Sequence, residues 1–171
     1  KTKKVLVDRV SLEAKPGSIT AILGLSGSGK TCLIRGLASC LDFAAVTTGK
    51  VTFKVGHEML PAKQTDFALV SQHDCISGFM SVEEHIRYAA ALAGTDATRV
   101  LKLAHALGLE GHLMHLRCQH LSGGEARRVS LCVDGLVRSD ARVLLGDEIT
   151  TGLSATDVLK LAVTIRHLAD I

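Results

Sequence analysis

The chain has 171 residues, of which 47% are hydrophobic, 22% charged and 3% aromatic. About 100–200 residues make one domain, and this much apolar material builds a core and excludes a disordered chain. Twenty Lys and Arg against 17 Asp and Glu leave +3, too mild a charge to point to nucleic acid, and no run reaches the ~18 apolar residues of a membrane span.

Val10, Leu12 and Ala14 alternate with Ser11 and Glu13, which predicts a strand. Lys15-Pro16-Gly17 turns the chain, and Ser18–Leu23 has the length of a buried strand. A glycine-rich loop follows. Leu33, Ile34, Leu37, Ala38 and Leu41 then fall at helical spacing, so the opening reads strand, loop, helix. Strands are expected at Val51–Val55 and Phe67–Val70. Ser81 with Glu84 forms a capping box that starts a helix running to about Ala93. Another helix fits Ala97–Leu107, with Val100, Leu103, Ala104 and Leu107 inward and Gly108 as its stop. A helix from Ser122 carries Val129, Cys132, Val133 and Leu136 inward; Arg142–Gly146 is a buried strand. The last helix has Val158, Leu161, Ala162, Ile165 and Leu168 on one face. Strands and helices alternate at both ends around a helical middle, which predicts an α/β core with a helical insert.

Gly24-Leu25-Ser26-Gly27-Ser28-Gly29-Lys30-Thr31 satisfies G-x-x-x-x-G-K-[ST] in full. Bare glycines let backbone N–H groups converge on phosphate oxygens, and the helix start adds partial positive charge. Lys30 is expected to reach the β- and γ-phosphates and Thr31 to offer its hydroxyl to Mg²⁺. A chance glycine turn would rarely meet every fixed position. Val143-Leu144-Leu145-Gly146-Asp147-Glu148 is an apolar strand that ends in two carboxylates. Asp147 is placed to hold Mg²⁺ and Glu148 to polarise an attacking water. Without a phosphate loop such a pair would read as solvated loop charge. Gly146 marks a close backbone approach. Leu121-Ser122-Gly123-Gly124-Glu125 reads two ways, as an ordinary capping box or as an exposed anion site at a helix start.

Taken in order, the Gly24–Thr31 loop, Val70-Ser71-Gln72, Leu121–Glu125 and Leu144–Glu148 resemble the nucleotide-binding domain of ATP-binding cassette (ABC) proteins. Lys15-Pro16-Gly17 and Asp147–Leu153 are similar to the G subfamily of transporters, including its pleiotropic-drug-resistance branch. The resemblance covers nearly the whole chain. It implies an α/β fold: a P-loop NTPase core with a mixed sheet plus a helical signature subdomain at about 78–138. It implies an ATPase that uses Mg²⁺ with ATP and powers a membrane transporter from the cytoplasmic face. Gln72 matches the glutamine that contacts Mg²⁺ and its water, where the transmembrane domain couples. Leu121, Ser122, Gly123, Gly124 and Glu125 match the signature that completes the ATP site of a second nucleotide-binding domain, in a head-to-tail sandwich.

The chain also departs from the family pattern. Ser154 stands where the family has Asp, Ile149 where Pro is commonest, and residues 1–30 hold no aromatic to stack on adenine. The family's switch histidine follows the helix that closes this chain, and His167 is not that residue. The chain opens on Lys1 without a signal-peptide pattern, so residues 1–171 are expected to be one ATP-binding domain cut short at its C-terminus, part of a longer membrane protein. Two rivals are a soluble cassette ATPase outside transport and a degenerate nucleotide-binding fragment.

Five cysteines without a Cys-x-x-Cys read as reduced thiols. Zinc would accept His112, His115, Cys118 and His120, but their spacing matches no closed site, so loop histidines are the expectation. His85 and His105 are expected to face solvent. Cys32 reads as a redox thiol at a helix start or, preferred, as a small buried filler.

Overall fold

The computed structural model describes residues 5–38, 49–55, 57–72, 76–138 and 140–170. Two small sheets lie among these residues. Strands β1 (Thr52–Val55) and β2 (Glu58–Pro61) form an antiparallel hairpin, and β3 (Phe67–Val70) pairs in parallel with β4 (Val143–Gly146). Parallel and antiparallel pairing therefore occur in separate sheets rather than in one mixed sheet. The helices are α1 (Lys30–Leu37), α2 (Val82–Ala93), α3 (Ala97–Ala106), α4 (His112–His115), α5 (Gly123–Ser130) and α6 (Ala155–Asp170).

The periodic segments fold locally as their chemistry requires. Ser81 Oγ accepts the Glu84 N–H at 3.3 Å while Glu84 accepts the Ser81 N–H at 2.8 Å, closing the capping box that starts α2. The Ser81 N–H bond to the Glu84 carboxylate holds that carboxyl below its ordinary pKa. Helix α3 ends where Gly108 takes φ 74°: the Gly108 N–H reaches the His105 carbonyl at 2.9 Å and the Leu109 N–H the Ala104 carbonyl at 3.0 Å. That left-handed turn favours glycine.

The core is built mainly by the helical middle. Val82, Ile86 and Ala90 of α2 meet Val100 and Ala104 of α3, with Val129 of α5 and Leu131, Cys132 and Val133 just after it, all in one cluster with Val70. Burial pushes the Cys132 thiol up to about 12, which leaves it an inert filler. The helix expected from Ser122 to Leu136 widens after Ser130 into a π-helix, Leu131–Leu136, where the Val137 N–H reaches back to the Cys132 carbonyl at 3.0 Å. Gly135 lies on the sheet, so a Cβ there would stand 2.8 Å from Leu144 Cδ1.

Four expectations are corrected. Neither Val10–Ala14 nor Ser18–Leu23 forms a strand, and the phosphate loop is entered without one. Val10, Leu12 and Ile19 are exposed and Leu23 is 90% exposed. An apolar run calls for burial but becomes a strand only where a neighbour takes its backbone hydrogen bonds. Residues 15–18 instead close a turn, with the Ser18 N–H on the Lys15 carbonyl at 3.1 Å. His85 is buried, 8% exposed, because α2 presents it to the same packing that covers Val82 and Ile86. Ala162 is exposed: α6 covers a narrower stripe, with Leu161 buried and Val158, Ile165 and Leu168 half-buried. Leu41 lies outside the described residues.

His85 Nδ1 accepts the Ser77 N–H at 3.3 Å. Desolvation lowers its pKa, and the Asp134 charge opposes that in part. The unfolded chain takes this proton near the usual ~6.5 and the folded chain only at lower pH. The stability that neutral His85 contributes is therefore complete above ~6.5 and lost as pH falls below it. Urea unfolding across that range should show a weaker loss on acidification for His85→Gln than for wild type; equal slopes contradict the assignment.

Gly124 sets how closely α5 approaches α6. A Cβ there would stand 2.7 Å from Asp157 Cγ and 3.0 Å from Asp157 Cβ. Overpacking costs ~1–3 kcal/mol, offset in part by the ~1 kcal/mol helix preference of Ala. Gly124→Ala should lower the melting temperature by about 2–4 °C, the shift per kcal/mol at this size. An unchanged or raised melting temperature contradicts the close contact.

Candidate functional site

Strands β3 and β4 run in register, Phe67 opposite Val143 and Val70 opposite Gly146. The ladder continues as the Asp147 N–H reaches the Val70 carbonyl at 3.0 Å. Parallel strands deliver their C-terminal residues to one edge, so Ser71-Gln72 and Asp147-Glu148 emerge side by side. Gln72 Nε2 donates to Glu148 Oε2 at 2.8 Å, across 76 residues of sequence. The Thr151 hydroxyl donates to the same oxygen at 3.3 Å.

Glu148 itself has φ 49°. A left-handed glutamate costs about 1–3 kcal/mol and persists only where its surroundings hold it. At Gly146 a side chain rather than the expected backbone comes close: a Cβ there would meet Ile149 Cγ2 at 2.9 Å, so Ile149 lies back over the strand end.

The phosphate loop reaches this edge through the start of α1. Gly29, at φ 95°, turns the chain into the helix, and a Cβ there would stand 2.7 Å from the Leu6 carbonyl oxygen. Lys30 Nζ donates to the carbonyls of Gly24 and Leu25, both at 2.9 Å, which folds the ammonium over its own loop. The next residue, Thr31, donates its hydroxyl to Asp147 Oδ1 at 2.9 Å. Asp147 is 2% exposed, and its Oδ2 is buried without a hydrogen-bond partner. A buried, half-satisfied carboxylate beside a hydroxyl is a hard oxygen donor set, and it fits a divalent cation such as Mg²⁺. A cavity of about 270 Å³ opens beside it, lined by Val5, Leu6, Gly27, Lys30, Thr31, Cys32 and Glu148. Cys32 is half-buried there, next to the loop rather than sealed in the core.

Leu121–Glu125 lies elsewhere. Ser122 caps α5: its Oγ accepts the Glu125 N–H at 3.4 Å, and Glu125 accepts the Ser122 N–H at 2.8 Å. The Ser122 N–H and hydroxyl, both donating to the Glu125 carboxylate at 2.8 Å, hold it below its usual pKa. Ser122 and Gly123 are exposed, Leu121 half-buried and Gly124 buried on α6. Among the described residues no hydrogen bond or ion pair joins 121–125 to 24–31. Ser154 caps α6, donating to Asp157 Oδ2 at 2.8 Å and accepting the Asp157 N–H at 3.2 Å.

One residue of this edge escapes a reading of motifs. Arg127 is 3% exposed and donates to the carbonyls of Ser71, at 2.8 Å, and Gln72, at 2.7 Å. Its signal was its place in α5, three residues after Gly124 and four before Leu131, both buried: a cation at an inward helical position. His112, His115 and His120 are exposed while Cys118 is buried, and no metal-binding group of His, Cys, Asp and Glu occurs among the described residues.

Residues 7–151 match the ABC transporter family. The chain is 35% identical over 183 residues to ABC transporter G family member 5 of Arabidopsis thaliana, which covers 99% of this chain and 27% of that protein. It is 32% identical over 177 residues to an ABC transporter ATP-binding/permease protein of Mycobacterium tuberculosis, covering 98% of the chain and 20% of the relative. A probable export ATP-binding/permease protein of Pseudomonas fluorescens is 33% identical over 86% of the chain and 23% of its own length. The chain thus spans about a quarter of the relatives it matches, and no helix among the described residues is long and apolar enough to cross a membrane. With a match that runs from before the phosphate loop to just past the acidic strand end, the chain belongs to the ABC transporter family.

Proposed function

We propose that this chain binds Mg²⁺-ATP and hydrolyses it to ADP and phosphate, and that the turnover powers an ABC-type membrane transporter. The observation that carries this reading is the Thr31–Asp147 contact with its buried, unpartnered Oδ2, which ties the phosphate loop to the acidic strand end. Thr31, Asp147 and Gln72 would hold Mg²⁺, which supplies charge neutralisation at the phosphates when bound. The loop amides of Gly24, Leu25, Ser26, Gly27, Ser28 and Gly29 cradle phosphate oxygens, and Lys30 exchanges its two carbonyls for them. Glu148 accepts the proton of the attacking water on its carboxylate, oriented by Gln72 and Thr151.

We read residues 1–171 as one ATP-binding domain. Its P-loop NTPase core carries the parallel β3–β4 pair, and its helical signature subdomain spans about 78–138. The exposed end of α5, with Ser122 and Gly123, suits a role at the ATP of a second nucleotide-binding domain in a head-to-tail sandwich. A transmembrane domain in the full-length protein and a place on the cytoplasmic face complete the proposal; nucleic acid has no part in it. Relatives named as ATP-binding/permease proteins support this over a soluble cassette ATPase.

Removing a general base typically costs ~10²–10⁴-fold. Glu148→Gln should therefore keep ATP binding and lose hydrolysis on that scale, whereas Lys30→Ala should weaken triphosphate binding itself. Near-normal turnover in Glu148→Gln removes Glu148 from the role.

The base of the nucleotide meets little that could read it. The cavity beside Lys30 is walled by Val5 and Leu6 and has no aromatic lining. Phe53 and Phe67 pack on each other, centroids 6.1 Å apart, with the Arg142 guanidinium 5.2 Å from the Phe53 centroid. Competition binding should show ATP preferred over GTP by less than ~10-fold, the equivalent of 1.4 kcal/mol. A larger preference means that another group reads adenine.

A further inference from the structure

Resting on the roles assigned above to Gln72 and Glu148, we propose that Arg127 is a positioning residue for hydrolysis, which ties the signature helix α5 to the water-activating carboxylate through Gln72. Its guanidinium is buried and forks across two successive carbonyls, those of Ser71 and Gln72. A planar fork fixes direction as well as distance, which a lysine ammonium does not. These two carbonyls lie just past the β3–β4 ladder, which ends with the Asp147 N–H on the Val70 carbonyl. The backbone that carries Gln72 is therefore held by α5, while the side chain of Gln72 holds Glu148 at 2.8 Å.

Glu148 needs that hold, because its left-handed backbone is a conformation the chain must enforce. Helix α5 is also the element whose exposed start carries Ser122 and Gly123. A rigid-body shift of α5, on docking at that start, moves Arg127 and with it the carbonyl frame of Gln72. Hydrolysis in one chain thereby depends on the seating of its own signature helix.

The test is steady-state ATP hydrolysis by the full chain with Arg127→Met, Arg127→Lys, Gln72→Ala and the Arg127→Met/Gln72→Ala pair. Arg127→Met should lower kcat about tenfold or more with KM for ATP changed less than about twofold, since ~1 Å misplacements cost up to ~10²-fold. The double variant should be no slower than Gln72→Ala alone, because Arg127 acts through Gln72. Arg127→Lys should give an intermediate kcat. Losses that multiply, an effect on KM instead of kcat, or wild-type kcat in Arg127→Lys overturn the proposal. If Arg127→Met loses its helical circular dichroism, Arg127→Lys takes its place in the same cycle. Undiminished turnover in Glu148→Gln overturns the assignment of Glu148 alone, and the Arg127–Gln72 cycle still reads out the coupling.

Discussion

Four residues of β3 lie beside four of β4, parallel and in register, and the chemistry of the molecule gathers where that ladder stops. Side-chain alternation makes register strict: a slip of one residue would turn every side chain of one strand to the other face. With Val70 opposite Gly146, the next residues on each strand are Ser71-Gln72 and Asp147-Glu148. Gln72 and Glu148 then meet at 2.8 Å. Helix α1 adds Thr31 to Asp147, so a small sheet end collects three segments that are distant in sequence.

The helical middle does two things for that edge. Its core packs over Val70 and fixes β3 from behind. Helix α5, continuing as the π-helix Leu131–Leu136, lies so near the sheet that Gly135 has Leu144 and Val70 against it. The same helix holds the backbone of Ser71 and Gln72 through Arg127. A buried cation costs several kcal/mol unless its donors are met, and strand-end carbonyls with no ladder partner meet them. Two donors of the arginine are met by the carbonyls of Ser71 and Gln72, just past the ladder.

Much of the local structure was legible from spacing alone. Ser81 with Glu84, Ser122 with Glu125, and Gly108 specify helix ends through bonds that span three to five residues, and all three form. The apolar runs at Phe67 and Val143 become strands because each finds the other. Ser18–Leu23 is also a largely apolar run and forms no strand among the described residues, because hydrophobicity does not choose a partner. His85, expected to face solvent, lies inside, since neighbouring helices decide which faces of α2 are covered.

Gly24–Thr31, Leu121–Glu125 and Asp147-Glu148 could be singled out by residue type and order, because backbone amides, glycines and carboxylates carry their chemistry wherever they sit. By itself the sequence determined those groups, the helix caps and the likeness to the family that the match confirms. Only the tertiary structure decided which groups share an edge: the Gln72–Glu148 and Thr31–Asp147 bonds, the stranded Oδ2 of Asp147 and the reach of Arg127. Such contacts close loops of 55 to 116 residues, and no local rule specifies them. They exist because strand register and core packing, summed over the whole chain, leave those atoms within hydrogen-bond distance.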